Sequence, residues 1–568
     1  MLQIATGKLF TKPVGRENRL RGVLYTNAVF TSERVETAAG DLLTLSTTSV
    51  RPYALIYELI ECMEDNEVTA GVLVSSGIEA YLQDCSVLVS FALNCICTVD
   101  VDLARRLASN QVGLSTRQTT QRFVSRFFDT DVPCRAEEIS FLKSFTSKLI
   151  GLPRKTFLGV MRALRAYING MHRVSDDLDL AYTLLVVSVE SLAQDFDDHE
   201  SDWESVSEHK RQTIDKALSV VEPDAAGNIR AAILEFEHVA LARRFREFVA
   251  KHTPPSYFRE LSSDSEVLRL GRSDLDGVLK VAYQSRSKYI HQVHQLPDAV
   301  LLGNGYGEVV LDGRVMHLTL QGLSRLMRNT IVEFVMSQPT VEHEPYNYHL
   351  ERCGIVQLRM APEYWVGRSE GDITKAGRDK LEGFLQQLGS IYLREANASL
   401  TSLKSVLEIS SEFIPSLDKR LRLPYLALHF LFNGVVKKED SVKLTSAIRD
   451  LIDSELAQPG SESLVVYAVK CVVVPWSLIE HKKALEDYLR RRSTKNGLRF
   501  PRLFEAAMSL ELAERFRVFG DMDECREIIA LAVENHPGHS GLLELEKSLK
   551  PSAPICWMDI MLPSLDAT

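Results

Sequence analysis

The segment at residues 282–291, AYQSRSKYIH, carries the side chains of this chain that are best suited to chemistry at a phosphate group. Arg286 supplies a permanently charged guanidinium, whose planar fork matches two phosphate oxygens at once. His291, five residues later, can accept or release a proton near neutral pH. The pair therefore indicates acid–base chemistry beside a bound phosphate.

The spacing of these two residues limits how one helix can use them. Residues five apart on an α-helix lie about 140° apart around its axis. Arg286 and His291 therefore do not share a face unless the arginine side chain curls round the helix or the helix ends near His291. Two copies that meet across a two-fold axis would bring two arginines and two histidines into one cleft.

The Arg-x4-His pattern resembles the Arg-x4–6-His motif of the HEPN superfamily, named for higher eukaryote and prokaryote nucleotide-binding domains. The chain is most similar to the larger bacterial ApeA-like HEPN proteins, in which an Arg-Ser-Lys context before the histidine is common. The resemblance covers about residues 154–336, and such proteins often carry a β-rich N-terminal region as well. The apolar segment 184–196, LLVVSVESLAQDF, resembles a helix of these domains that has an internal acid, here Glu190.

The resemblance implies a metal-independent endoribonuclease of bacterial antiviral defence, with catalytic Arg286 and His291 in a dimeric site and no cofactor. Such cleavage requires a base for the 2′-OH proton, an acid for the 5′-oxygen and cations at the phosphorane. We expect Lys288 to attract phosphate and Tyr289 to stack on a base. His294 lies near His291 as a spare proton carrier or a surface residue. Glu190 completes the expected supporting residues, which are Lys288, Tyr289, His294 and Glu190.

The same residues also fit a structural interpretation. An arginine and a histidine late in a helix can stabilise its C-terminal carbonyl groups, and the histidine can be buried in the core with its ring nitrogens hydrogen-bonded. The corresponding function is that of a non-catalytic interaction or regulatory protein. Its HEPN-like domain would only dimerise, and its helical repeat would bind a peptide or protein.

A second basic segment lies at residues 488–502, YLRRRSTKNGLRFPR, which contains no acidic residue. Against a net charge of −10, it is a candidate site for RNA phosphates or for an acidic partner. The alternative is a solvated helix end followed by a loop. The predicted RNA-binding residues are Arg490, Arg491, Arg492 and Lys495.

The spacing of hydrophobic residues changes along the chain from a strand-like to a helical period. Five short segments up to residue 101 have the alternation and β-branched residues of strands, at residues 8–14, 20–26, 42–50, 68–76 and 84–93. A helix is expected among them at 51–63. From residue 154 the period becomes helical, which predicts helices at 154–171, 178–196, 208–221, 225–252, 274–294 and 320–336, with a small hairpin before the last.

Beyond residue 338 the pattern is mostly helical to residue 568. At 509–537 it resembles a tetratricopeptide repeat, with small and apolar residues at the packing offsets of that motif. These residues are Leu512, Ala513, Phe516, Ile529, Ala532 and Pro537. One helix-turn-helix repeat is therefore predicted, and the whole region is either a helical solenoid or an irregular helical bundle.

Length and composition set the limits of the architecture. The chain has 568 residues, 45% of them hydrophobic and 25% charged, which excludes disordered and collagen-like classes. The acidic net charge excludes a protein coated by nucleic acid over its whole surface. Nine cysteines without a C-x-x-C motif favour buried thiols over a metal site or a disulfide framework.

We predict an α+β protein of three domains. These are a β-rich N-terminal domain (1–150), a HEPN-like helical bundle (151–338) and a helical, partly tetratricopeptide-like region (339–568). The start lacks the features of a secretory signal and no apolar run is long enough to span a membrane, so a cytoplasmic protein is expected. The expected partners are RNA, a second copy in a homodimer or higher oligomer, and a protein trigger or regulator.

Overall fold

The computed structural model describes most of the chain and divides it into two compact units. It describes residues 1–568 except 46–50, 65–76, 110, 113–117, 197–202, 204–205, 207, 237–240, 260–267, 303–305, 347–350, 352–357 and 563–568. The two units are Met1–Val356 and Gln357–Thr568. Among the helices described, none is both long and apolar enough to cross a membrane.

The first unit combines strands and helices, which confirms the α+β class. The strands are β1 (Val14–Thr26), β2 (Ala28–Phe30), β3 (Arg34–Thr37), β4 (Gly40–Thr44), β5 (Tyr53–Glu64), β6 (Cys97–Thr98), β7 (Val132–Cys134), β8 (Val309–Asp312) and β9 (Val315–Leu318). The helices are α1 (Leu2–Ala5), α2 (Glu79–Leu93), α3 (Val101–Ala108), α4 (Ala136–Ile150), α5 (Arg154–Arg173), α6 (Leu178–Phe196), α7 (Glu208–Leu218), α8 (Pro223–Phe236), α9 (Leu241–Lys251), α10 (Leu275–Gln292), α11 (Asp298–Leu301) and α12 (Leu320–Ser337).

The main sheet has five strands in the order β3-β4-β5-β1-β6, and all its neighbouring strands are antiparallel. Its longest pairing joins β1 to β5, with Leu24 opposite Leu55. Strands β2 and β7 form a separate parallel pair, and β8 and β9 form the predicted hairpin. Buried side chains of the sheet and of α2, α4, α5, α6, α10 and α12 belong to one hydrophobic core. The boundary predicted at residue 150 therefore falls inside one unit.

Three local predictions in the N-terminal region are wrong. Residues 51–63, predicted as a helix, contain strand β5, because Leu55, Tyr57 and Leu59 alternate into the core while the strand pairs with β1. Residues 84–93, predicted as a strand, belong to α2, because a continuous apolar run suits a helix buried on most of its surface equally well. Residues 8–13 form turns and bends before β1. The strand predicted at 42–50 begins within β4, and its residues 46–50, like the whole strand predicted at 68–76, lie outside the described residues.

The helices that position the motif follow their predicted ranges closely. α5 and α6 pack together, α10 packs on α6, and the buried residues of α10 include Val278, Leu279 and Ala282. The long helix predicted at 225–252 is described as two shorter ones, α8 and α9. Helix α12 closes the unit as predicted.

The second unit is helical in its described part. Its helices are α13 (Gly377–Tyr392), α14 (Lys404–Phe413), α15 (Lys419–Val435), α16 (Ser446–Glu455), α17 (Ser461–Lys470), α18 (Leu478–Arg491), α19 (Arg502–Phe519), α20 (Met522–Asn535), α21 (Ser540–Ser548) and α22 (Trp557–Met561). The predicted helix-turn-helix is present as α19 and α20, which pack together across a left-handed turn at Gly520 (φ 94°). Five of the six repeat-like residues are buried there, namely Leu512, Ala513, Phe516, Ile529 and Ala532, whereas Pro537 is exposed after the end of α20.

Two buried histidines make the second unit sensitive to acid. Burial lowers the pKa of both His429 and His481 to about 4. In the unfolded chain a histidine has a pKa of about 6.5. Below that pH the unfolded state therefore binds protons that the folded state does not bind. Stability is therefore lost as pH falls from about 6.5 toward 4. We expect a loss of about 2 kcal/mol per histidine between pH 7 and pH 5.

Urea unfolding followed by tryptophan fluorescence measures this loss, since Trp365, Trp476 and Trp557 all lie in the second unit. His429→Gln should reduce the loss of stability between pH 7 and pH 5 by about 2 kcal/mol. The exposed residue His294, in the first unit, supplies the control variant His294→Gln. If the free energy of unfolding of His429→Gln depended on pH as in wild type, the lowered pKa of His429 would be contradicted.

Candidate functional site

Helix α10 carries the Arg-x4-His motif in its last two turns. The helix ends at Gln292, because Val293 adopts a left-handed conformation (φ 53°) and its N–H donates to the Tyr289 carbonyl at 2.8 Å. Such a left-handed residue terminates a helix and satisfies a free carbonyl group. The helix therefore ends one residue beyond His291, and this histidine occupies its exposed last turn.

Arg286 faces helix α6 and is held there by Glu190. Its Nη2 lies 2.7 Å from Glu190 Oε2, and the two side chains are 19% and 3% exposed. The Tyr283 hydroxyl and Gln194 Nε2 donate to the other carboxylate oxygen at 3.2 and 3.3 Å. The Arg286 guanidinium carbon lies 5.5 Å from the centre of the Tyr283 ring. Glu190, predicted as a supporting residue, thus fixes the orientation of the guanidinium.

The carboxyl group of Glu190 experiences two opposing influences. Burial is the larger and raises its pKa, while the positive charge of Arg286 and the hydrogen bonds from Tyr283 and Gln194 act in the opposite direction. Burial and the nearby Glu190 carboxylate also raise the pKa of Tyr283 to about 12. Tyr283 therefore remains a hydroxyl donor to Glu190 at neutral pH.

His291 lies on a different face of α10 from Arg286. His291 and Lys288 are both exposed, and their three-residue spacing makes them neighbours on the solvent face of the helix. Two apolar side chains beside His291 are also uncovered: Ile290 is 48% exposed and Val293 is 74% exposed. Within one copy, α10 directs Arg286 toward α6 and His291 toward solvent.

Tyr289, Val293 and His294 line a groove of about 720 Å³ at the start of α6. Its other lining side chains include Asp176, Asp177 and Asp179. The Tyr289 hydroxyl donates to Asp177 Oδ2 at 3.4 Å, and burial together with this carboxylate raises the tyrosine pKa. Three carboxylates disfavour a phosphate in this acidic groove. Tyr289, expected to stack on a base, and His294, expected as a spare proton carrier or a surface residue, thus lie beside acidic side chains, and both roles stay predictions.

Sequence reasoning missed the acidic groove, although its signal was present in the run SDDLD at the start of α6. Asp177 accepts from the Leu180 N–H at 2.9 Å and so satisfies a free donor at the helix start. Asp179 accepts from the Leu296 N–H at 2.6 Å. Asp179 thus ties the segment after α10 to α6, and Asp177 ties Tyr289 of α10 to the start of α6. Within the described ranges, no group of three or more histidine, cysteine, aspartate or glutamate residues is placed to hold a metal ion.

The second basic segment divides into inward and outward residues. Arg492 forms an ion pair with the buried Glu505 and donates to Asn535 Oδ1 at 3.0 Å. Its side chain therefore links the end of α18 to α19 and α20. Arg490 is exposed and pairs with Asp487 on its own helix. Arg491 and Lys495 are exposed.

No protein-family model, no curated protein and no solved structure matches this chain.

Proposed function

We propose that this protein is a metal-independent endoribonuclease of HEPN type, which acts in bacterial antiviral defence. Its active site would form between two copies of the chain, from Arg286 and His291 of each α10. An unrestrained ribonuclease would harm its host, so we also propose that another part of the chain or a protein trigger controls it. RNA of the host or of an infecting phage is met in the cytoplasm, which is the compartment we propose.

One observation carries this proposal. The last two turns of α10 present an arginine fixed by a buried carboxylate and an exposed histidine, beside two uncovered apolar side chains. A second copy that covered Ile290 and Val293 would bring its own α10 end against the first. Contiguous apolar side chains exposed within a polar rim mark surfaces that bind another chain. Each copy then supplies one of the two proton carriers that the reaction requires.

The chemistry requires only groups that two copies contain. His291 of one copy takes the proton of the ribose 2′-OH, and that oxygen attacks the adjacent phosphorus. His291 of the other copy gives a proton to the 5′-oxygen as its bond to phosphorus breaks. The products are a 2′,3′-cyclic phosphate and a 5′-OH end. The guanidinium of Arg286 stabilises the negative charge that builds on the phosphorane oxygens. Lys288, on the face of His291, attracts the phosphate group.

The products of the reaction test the proposal. Purified full-length protein is incubated with RNA in excess EDTA, and the new ends are identified by their sensitivity to phosphatase and kinase. We expect 2′,3′-cyclic phosphate and 5′-OH ends. The matched control is the same RNA with 2′-deoxy residues, which lacks the nucleophile and should remain intact. Cleavage of the control at the same rate, or a requirement for a divalent ion, would contradict the mechanism.

A second candidate function is supported by an apolar groove in the second unit. The groove has a volume of about 490 Å³, and Val518 and Phe519 at its edge are 70% and 74% exposed. Its apolar lining residues include Tyr467, Val473, Leu478, Met508, Val518 and Phe519. A groove of this kind suits an apolar segment of another protein. If no ribonuclease activity is found, the interaction function becomes the better proposal, and a regulator could bind at the same groove.

A further inference from the structure

We propose that a pocket in the second unit binds an unpaired nucleotide of single-stranded RNA. This pocket, called the Trp365 pocket below, has a volume of about 500 Å³ and includes Arg359, Met360, Trp365, Glu382, Arg499 and Phe500 in its lining. Its size lies within the roughly 300–1,000 Å³ range of small-molecule sites. The choice of RNA among anionic ligands rests on the proposed function, whereas the existence of the site does not.

Trp365 forms the aromatic wall of the pocket, and two contacts fix its orientation. The Trp365 indole N–H donates to the Met360 carbonyl at 2.8 Å. The far edge of its ring lies against Gly383 of α13, where a Cβ atom would come within 2.5 Å of the ring. Gly383 therefore allows a close approach that any other residue would prevent. The indole is held in one orientation and remains partly open to solvent.

A guanidinium already stacks on this indole. The Arg359 guanidinium carbon lies 4.1 Å from the ring centre, and its side chain is 53% exposed. Stacked arginine and tryptophan form a flat, positively charged surface. Unpaired bases stack on both aromatic rings and arginine planes in RNA-binding proteins. The Arg359–Trp365 pair thus offers a stacking surface together with a charge for the adjoining phosphate.

The opposite rim is formed by the loop within the basic segment, between α18 and α19. The backbone N–H of Arg499 donates to Glu382 at 2.8 Å, which fixes the loop while the Arg499 side chain stays exposed. Arg378 donates to the Lys495 carbonyl at 3.3 Å. At Gly497 a Cβ atom would overlap the Arg491 carbonyl oxygen, so the loop folds back on the end of α18 only with glycine there. These contacts hold the loop in one defined conformation.

The charges around the Trp365 pocket favour an anion. Three cations lie at the pocket or on its anchored loop, namely Arg359, Arg499 and Lys495, and Arg378 of α13 donates to that loop. The acids beside them are Asp379, 3.6 Å from Arg359, and Glu382. Positive charge in excess, combined with an aromatic stacking surface, is the arrangement that binds single strands without strict sequence preference. A duplex would keep its bases stacked on each other and unavailable to the indole.

Binding is measured with a fluorescent RNA oligonucleotide in which every ribose is 2′-O-methylated, so that cleavage cannot occur. The full-length protein is compared with Trp365→Leu and with the double variant Arg359→Ala/Arg499→Ala, which changes only exposed side chains. The matched control is Arg526→Ala, since Arg526 is an exposed arginine of the same unit that also pairs with a neighbouring aspartate outside the pocket.

We expect each pocket variant to bind the RNA at least about tenfold more weakly and the control to bind like wild type. The arginine variant should also show a smaller salt dependence, by about 0.7 in log–log slope for each phosphate that it no longer neutralises. Wild-type affinity in both pocket variants would overturn the inference. So would equal binding of an acidic peptide of the same charge, since it would identify a protein partner. Binding that depends on Trp365 in a protein that cleaves no RNA would refute the proposed function and leave this site standing.

Discussion

His291→Ala should slow RNA cleavage by about 10²–10⁴-fold, because each active site would lose both its proton acceptor and its proton donor. His291 is exposed in the last turn of α10, so its replacement removes little packing and should leave the free energy of unfolding within about 0.5 kcal/mol of wild type. The measurement is the initial rate of cleavage in EDTA by the folded variant.

His294→Ala is the matched control for this variant. His294 is also exposed and lies three residues further on, but it lines the acidic groove at the start of α6. We expect its replacement to change the rate only a few-fold. Equal losses in the two variants would mean that the end of α10 matters as a whole, and an unchanged rate in His291→Ala would refute its catalytic role.

Arg286→Ala should have two separable effects. Cleavage should fall by about 10²–10³-fold, because a fixed cation at the phosphorane is removed. Stability should also fall, by about 2–3 kcal/mol, because the Glu190 carboxylate, only 3% exposed, would be left without its partner. Urea unfolding and the cleavage rate are therefore measured on the same preparation.

The double variant Arg286→Ala/Glu190→Gln separates these effects. Replacing the buried carboxylate by a neutral amide should recover much of the stability, because a neutral group costs less to bury than an unpaired charge. It should recover none of the cleavage. Recovery of both together would show that Arg286 acts only by holding α10 against α6.

The fold could be predicted where one periodicity dominates. Helices α5, α6, α10 and α12 follow their predicted ranges because each has a clear apolar stripe and a defined end. The errors at 51–63 and 84–93 have one common cause. Both segments are rich in apolar residues on all sides, and only pairing with β1 or packing in the core decides between strand and helix.

The candidate site was predictable residue by residue but not as an arrangement. The sequence singled out Arg286, His291 and Glu190 separately, yet nothing in it joined Glu190 to Arg286, which lies 96 residues further along. The position of Tyr289 and His294 beside the aspartates at the start of α6 also depends on where that helix begins. For the basic segment, the inward turn of Arg492 follows from Glu505, an acid buried in the next helix.

The central claim, an active site shared by two copies, is tested most directly by mixing. Wild type and His291→Ala are co-expressed in varying proportions, and cleavage is measured at constant total protein. If each site needs both histidines, activity follows the square of the wild-type fraction, and an equal mixture retains about a quarter of full activity. If each copy works alone, activity follows that fraction directly, and about a half remains. We expect the quarter, and a half would contradict a shared site.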